Sequence, residues 1–139
     1  MLMIAKTDDF TKIKKIRLSI FHKELGLSEN DIFDDDDAFL DQFLILDGKI
    51  PVGTFRLRSV GNSHKIERMG VLCKYRSQGF GQSSLTEIKS LSKKSGKKQI
   101  ILDSIYAVKD FYAKSGFVTT GNIYCKVGIP HIKMMFDLD

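Results

Sequence analysis

The sequence predicts an α/β (α+β) domain on a mixed central sheet, antiparallel in its N-terminal strands, with a later parallel pair and flanking helices. Three observations predict it. Residues 43–72 hold three strand-like runs joined by turn residues, the pattern of an antiparallel meander. The apolar period then lengthens, with Leu85, Ile88 and Leu91 marking a helical face. The short apolar run Gln99-Ile100-Ile101-Leu102 follows that helix, and strand, helix, strand in succession suggests a parallel pair. At 139 residues the chain matches one domain of roughly 100–200 residues, so 1–139 is read as a single unit.

The elements follow in order. Residues 7–26 are expected to be helical. Thr7 is placed to cap the start, with Asp8 and Asp9 in the first turn, where the positive dipole end favours them. Phe10, Ile13, Ile16, Ile20 and Phe21 recur at three- and four-residue steps as one buried stripe, and Gly26 is a left-handed terminator. The acidic run Ser28–Asp37 reads as a solvated loop or helix start; attraction of a substrate amine is the second reading. Metal binding is the third, weakened by the missing central Gly of a calcium loop. Phe43–Leu46 begins the strands, Asp47-Gly48 is a hairpin turn, and Val52–Arg58 alternates so that Thr54, Arg56 and Arg58 share a face. Gly61-Asn62-Ser63 turns into the strand Lys65–Leu72. Gly96 ends the next helix, with Lys93 and Lys94 in its last turn. Residues 106–115 form a short helix ending at Gly116, and two strands near 117–124 and 131–137 close the chain. The predicted order is α, β-β-β, α-β-α-β-β.

Composition narrows the class. Hydrophobic residues are 42% and charged residues 28%, which argues against disorder. No apolar stretch approaches the roughly 18 residues of a membrane span, and Met1–Lys6 lacks the charged segment of a secretory signal. Cys73 and Cys125 have no metal or disulfide spacing and are expected to be reduced and buried. A cytoplasmic protein without metal follows as the expectation. Residues 1–61 hold 9 Lys+Arg and 11 Asp+Glu, and residues 62–139 hold 13 and 6. The second part therefore has the sign to attract an anion, whether nucleic acid or a phosphorylated small molecule, although solubility alone is an equal reading.

The stretch Val71-Leu72-Cys73-Lys74-Tyr75-Arg76-Ser77-Gln78-Gly79-Phe80-Gly81-Gln82 carries the most chemistry. It sets a strand, a tight loop with two glycines and a helix start in succession. Unpaired N–H groups at such a junction can take a phosphate, glycine admits close backbone approach, and Arg76 adds charge. A plain capped glycine turn is the even alternative. Neither G-x-x-x-x-G-K-[ST] nor G-x-G-x-x-G is present.

Arg76-Ser77-Gln78-Gly79-Phe80-Gly81 resembles the R/Q-x-x-G-x-G/A acetyl-CoA loop of the GNAT N-acetyltransferases, and Phe111-Tyr112-Ala113-Lys114-Ser115-Gly116-Phe117 resembles their F-Y-x-K-x-G-F signature. Pro51–Leu57, Lys65–Arg68 and Gly128-Ile129-Pro130-His131 extend the likeness to a small ElaA-like bacterial branch. The resemblance implies the GNAT acyl-CoA N-acyltransferase fold, with acetyl-CoA in a gap between splayed strands. It places Val71 and Cys73 along the pantetheine, the N–H groups of Gln78, Gly79, Phe80, Gly81 and Gln82 on the pyrophosphate, and Arg76, Phe111 and Lys114 among the cofactor contacts. Edge-strand pairing into a homodimer is common for that fold.

The implied reaction is direct attack of an amine on the thioester, so no protein nucleophile is required. By resemblance Tyr112 is the general acid toward the departing sulfur, since a phenol with pKa about 10 is protonated at neutral pH; packing beside Phe111 is its other reading. Glu67 is the candidate base, directly or through water, against an ion pair with a nearby Arg. His131 either lines an acceptor pocket or is a hydrogen-bonded structural histidine, and His22 is expected to be exposed. The branch pattern is departed from at Gln42, at Asp103-Ser104-Ile105 and at Val108, which leaves the acceptor open. The function expected is acetyl transfer to a small-molecule or peptide amine. A non-catalytic acyl-CoA-binding regulatory domain is the alternative. A nucleic-acid module is disfavoured for want of interleaved aromatics and a recognition helix, and no membrane partner is expected.

Overall fold

The computed structural model describes residues 2–139. Seven strands form one mixed sheet in the order β1-β2-β3-β4-β5-β7-β6, flanked by helices. The chain divides into two compact units, Met1–Leu57 with Arg68–Ser84, and Arg58–Glu67 with Leu85–Asp139.

In the first unit, β1 (Leu2–Lys6) pairs antiparallel with β2 (Asp41–Asp47), from Leu2↔Asp47 to Lys6↔Phe43. This strand was not among the expected elements: LMIAK shows no alternation and no turn dipeptide beside it, and only its partner β2 defines it. β2 pairs with β3 (Ile50–Val60) through the turn at Gly48, whose φ is +60°. The helical region begins at α1 (Phe10–Arg17) and continues as a π-helical stretch, Leu18–Glu24. The N-cap is Asp9, which accepts from the Thr11 N–H, while Thr7 accepts from the Asp9 N–H one step earlier; the expected cap thus moves by two residues. Ile13, Ile16 and Ile20 are buried with Leu44, as the stripe requires. Gly26 has φ +71°, and the Leu27 N–H returns to Phe21 O, a left-handed termination.

The acidic run is not a solvated loop throughout. It forms α2 (Glu29–Ile32) and a 3-10 turn, Asp35–Ala38, around Asp34. Asp34 and Asp37 face buried cations, and that attraction overrides the mutual repulsion that favours a hydrated loop.

In the second unit, the start of β4 (Ser63–Val71) runs parallel to β5 (Gln99–Ile105), from Ser63↔Gln99 to Ile66↔Leu102. The connecting helix α3 (Phe80–Lys94) buries Leu85 and Ile88 completely. Leu91 is only half-buried and Ser92 is buried instead, its hydroxyl 2.7 Å from His64 Nδ1. α4 (Lys109–Ala113) is shorter than expected, because Tyr106–Val108 form a 3-10 turn before it. β7 (Ile129–Asp137) lies between β5 and β6 (Val118–Lys126), antiparallel to both. Cys73 and Cys125 are free but exposed, contrary to the expected burial. Cys73 stands in the turn after β4, and Cys125 on β6, the terminal strand of the sheet.

Candidate active site

Eight of the expected site residues belong to the first unit: Val71, Cys73, Arg76, Gln78, Gly79, Phe80, Gly81 and Gln82. After β4 a 3-10 turn, Cys73–Tyr75, leads into a loop where Ser77 and Gly79 have φ of +62° and +88°. A Cβ on Gly79 would meet nothing within 4 Å, so glycine there is required by the backbone angle and not by crowding. The Ser83 N–H bonds Gly79 O at the start of α3, and the amides just before it precede the helical ladder. Arg76 turns back on its own strand: Nε donates to Val71 O at 2.9 Å and Nη2 pairs with Glu24 at 2.8 Å. Gln78 Nε2 donates to Lys74 O, and the Tyr75 and Phe80 rings meet edge-on at 6.4 Å.

Glu67, Phe111, Tyr112 and Lys114 belong to the second unit. Tyr112 sits between aromatic neighbours, 5.0 Å from Phe111 and 6.0 Å from Phe117, both edge-on. Burial pushes its hydroxyl up to about 12, so the phenol keeps its proton across the neutral range. Lys114 is exposed just after α4. Glu67 lies in a separate cluster of charges, its side chain 9% exposed. Arg58 Nε reaches both of its oxygens at 3.2 Å, and Lys65 bridges it, at 3.5 Å, to Asp103, at 3.1 Å. The ion-pair reading of Glu67 is therefore the one realised in this state. Asp103 also approaches Lys126, at 3.5 Å. Burial opposes its charge, but Tyr124 and Lys65 prevail and hold it below the usual carboxylate range. Burial, followed by the Asp103 carboxylate, pushes the Tyr124 phenol well above its ordinary value. His131 is buried, donates from Nδ1 to Ile129 O at 2.7 Å and stacks obliquely on Tyr124. His22 is exposed as expected.

A further charged network in the first unit escaped the sequence reading. Arg17, 0% exposed, binds both oxygens of Asp37, at 2.9 and 3.0 Å, and Gln42 Oε1 at 2.9 Å. Arg56, 1% exposed, binds Asp37 at 2.7 Å and both oxygens of Asp34 at 2.8 Å. Arg68 reaches Asp34 at 3.3 Å and Ile32 O at 2.9 Å. Gln42 Nε2 returns to Asp37, so this departure from the branch pattern is a member of a buried polar network. The available signal was Arg56 on the same strand face as Thr54. No group of three or more His, Cys, Asp or Glu side chains among the described residues is arranged to hold a metal. No helix among them is long and apolar enough to cross a membrane.

The model of the acetyltransferase (GNAT) domain family matches residues 32–138. Two Bacillus subtilis proteins are similar over most of the chain. The uncharacterized protein YyaT is 33% identical over 94% of this chain and 90% of its own. The uncharacterized N-acetyltransferase YjcF is 29% identical over 97% and 98%. Among solved structures, Escherichia coli ElaA superposes with a TM-score of 0.83 at 19% identity, over 97% of this chain and 99% of that one. A Bacillus subtilis acetyltransferase in complex with CoA gives 0.76 at 16%, over 99% of both.

Proposed function

Because the chain belongs to the GNAT acetyltransferase family, we propose that it moves an acetyl group from acetyl-CoA to a primary amine of a small molecule or peptide, by direct attack within a ternary complex. The observation that carries the reading is the junction at residues 71–82. Left-handed backbone at Ser77 and Gly79 leads straight into the first turn of α3, and such a terminus favours anions through its amides and its dipole. The CoA complex of a structural neighbour supports the same ligand class.

Acetyl-CoA, when bound, supplies an activated acyl thioester. In this reading the amides of residues 78–82 hold the pyrophosphate, backbone groups at Val71 and Cys73 follow the pantetheine, and Phe111 and Lys114 contact the cofactor. Arg76 acts indirectly, through its hold on Val71 O. Tyr112 donates its proton to the departing thiolate sulfur, a role suited to a phenol that stays protonated. Glu67 takes a proton from the acceptor ammonium, directly or through water, and so frees the neutral amine that attacks the thioester. Arg58, at 3.2 Å, and Lys65, at 3.5 Å, fix the position of its carboxylate. The acidic balance of residues 1–61 supports a cationic acceptor.

Titration calorimetry with acetyl-CoA, followed by thiol release across a panel of amines, tests the proposal. Binding plus amine-dependent release of CoA is expected. Tight binding with no release for any amine, unaltered by Tyr112→Phe, would make the protein a non-catalytic acyl-CoA binder. No binding heat, together with indifference to bulky residues at positions 79 and 81, would end the reading.

A further inference from the structure

Arg68 lies inside β4 yet has φ +54°, and it is the one described residue of that strand with positive φ. An arginine gains nothing from this conformation, which places Cβ against the following carbonyl. Its side chain supplies a compensation. Nε donates to Ile32 O at 2.9 Å and Nη2 meets Asp34 at 3.3 Å. The anchor is itself fixed. Asp34 is gripped through both oxygens by buried Arg56, and Ile32, 1% exposed, also receives Arg17 Nη1 at 3.4 Å. Immediately after Arg68 come Met69, Gly70 and Val71. Gly70 O lies 2.5 Å from where a Cβ on Gly53 would stand, so this backbone has little room to drift.

We propose that Arg68 is a positioning residue for acyl-CoA: anchored on Ile32 and Asp34, its side chain keeps its own backbone left-handed and so directs the backbone groups from Met69 to Val71. The proposal rests on the acyl-CoA reading and adds to it a residue that makes no contact with the ligand. Without the clamp, an ordinary side chain at this position relaxes toward extended φ, and the binding-competent fraction falls. Apparent affinity falls with that fraction.

The experiment compares Arg68→Ala with Arg68→Gly in the full chain. Both lose the same ion pair, but only glycine enters positive φ about as readily as negative. Arg68→Ala is expected to weaken acetyl-CoA binding about tenfold, raise KM more than it lowers kcat, and speed amide exchange at Gly70 and Val71. Arg68→Gly is expected to stay within about twofold of wild type, since about half its population already has the required hand. A merely structural ion pair predicts equal losses in the two variants, and that result, with normal wild-type binding, overturns this role alone. Wild-type protein that binds no acetyl-CoA overturns the proposed function and this role together. Should Arg68→Ala fail to fold, Arg68→Gln against Arg68→Asn makes the same comparison, because asparagine tolerates left-handed backbone and glutamine does not.

Discussion

Deleting the Asp37 carboxylate would leave fully buried Arg17 with the neutral acceptors Ile32 O and Gln42 Oε1 and without its ion pair, and would take from fully buried Arg56 one of the two carboxylates it binds. Breaking a buried pair from one side typically costs about 3–5 kcal/mol, because the remaining charge is uncompensated. Asp37→Ala is therefore expected to lower stability in urea by that order at neutral pH. The bond from Arg56 holds the Asp34 carboxyl down to about 2. Burial opposes ionisation of Asp37, but bonds from Arg17 and Arg56 prevail and lower it as well. A carboxylate with a depressed folded-state pKa stabilises fully above its unfolded value and ceases to do so as pH falls through the folded one. Urea midpoints should hold steady from neutral to about pH 5, then drop between about pH 4 and 2; Asp34→Asn should flatten part of that drop. Tyr112 gives a second expectation. With its hydroxyl pushed up to about 12, the kcat profile should show no limb from this group below about pH 11. Tyr112→Phe keeps the ring contacts with Phe111 and Phe117, so it should reduce kcat by about a hundredfold and leave acetyl-CoA affinity nearly unchanged. An equal loss in both would assign Tyr112 to binding. Tyr112 and the 76–82 loop stood out as candidates because their residues are contiguous in sequence. The Arg17–Asp37–Arg56–Asp34 network did not, because its ion pairs span 19 to 22 residues, and a run of carboxylates reads as hydrated until its cations are located in space.

At the scale of elements, β3 and β4 approach each other where each carries a glycine. A Cβ on Gly53 would stand 2.5 Å from Gly70 O and 3.3 Å from Val71 Cα, both backbone atoms. A Cβ on Gly70 would instead meet the tip of Ile20, at 2.9 Å, which can rotate away. Gly53→Ala should thus destabilise by about 1–3 kcal/mol, the usual range of overpacking, and Gly70→Ala by less, a ranking that urea midpoints would reverse if the strands could part freely. Gly53→Ala should also weaken acetyl-CoA binding, since the displaced atoms are those proposed to lie along the pantetheine. Turn residues recovered the strands β2 and β3, the longer apolar period recovered α3 through Leu85 and Ile88, and the strand–helix–strand order recovered the parallel β4–β5 pair. Such patterns failed where a partner defines the element. β1 exists through its ladder with β2. The π-helical stretch of Leu18–Glu24 keeps Ile20 buried without following the 3.6-residue period. Ser92 takes a buried helix position through its bond to His64.

For the whole molecule, the contact pattern and the chain path make different predictions about unfolding. Contacts separate two units, which taken alone suggests two transitions. The path opposes this. The boundaries fall after Leu57, Glu67 and Ser84, inside β3, β4 and α3. Each of these elements begins in one unit and ends in the other, so neither unit can melt without cutting through three hydrogen-bonded elements. Domain boundaries normally fall in exposed linkers, and these do not. We therefore propose that residues 1–139 behave as a single cooperative domain. Scanning calorimetry should give one transition, with van't Hoff and calorimetric enthalpies equal. Saturating acetyl-CoA should raise its midpoint without splitting the peak, because a ligand held only by the native state shifts the whole equilibrium. Two resolved peaks, with acetyl-CoA moving only one of them, would assign the binding loop to a unit that folds alone, and would mean that β3, β4 and α3 can each fray at the boundary without loss of the rest.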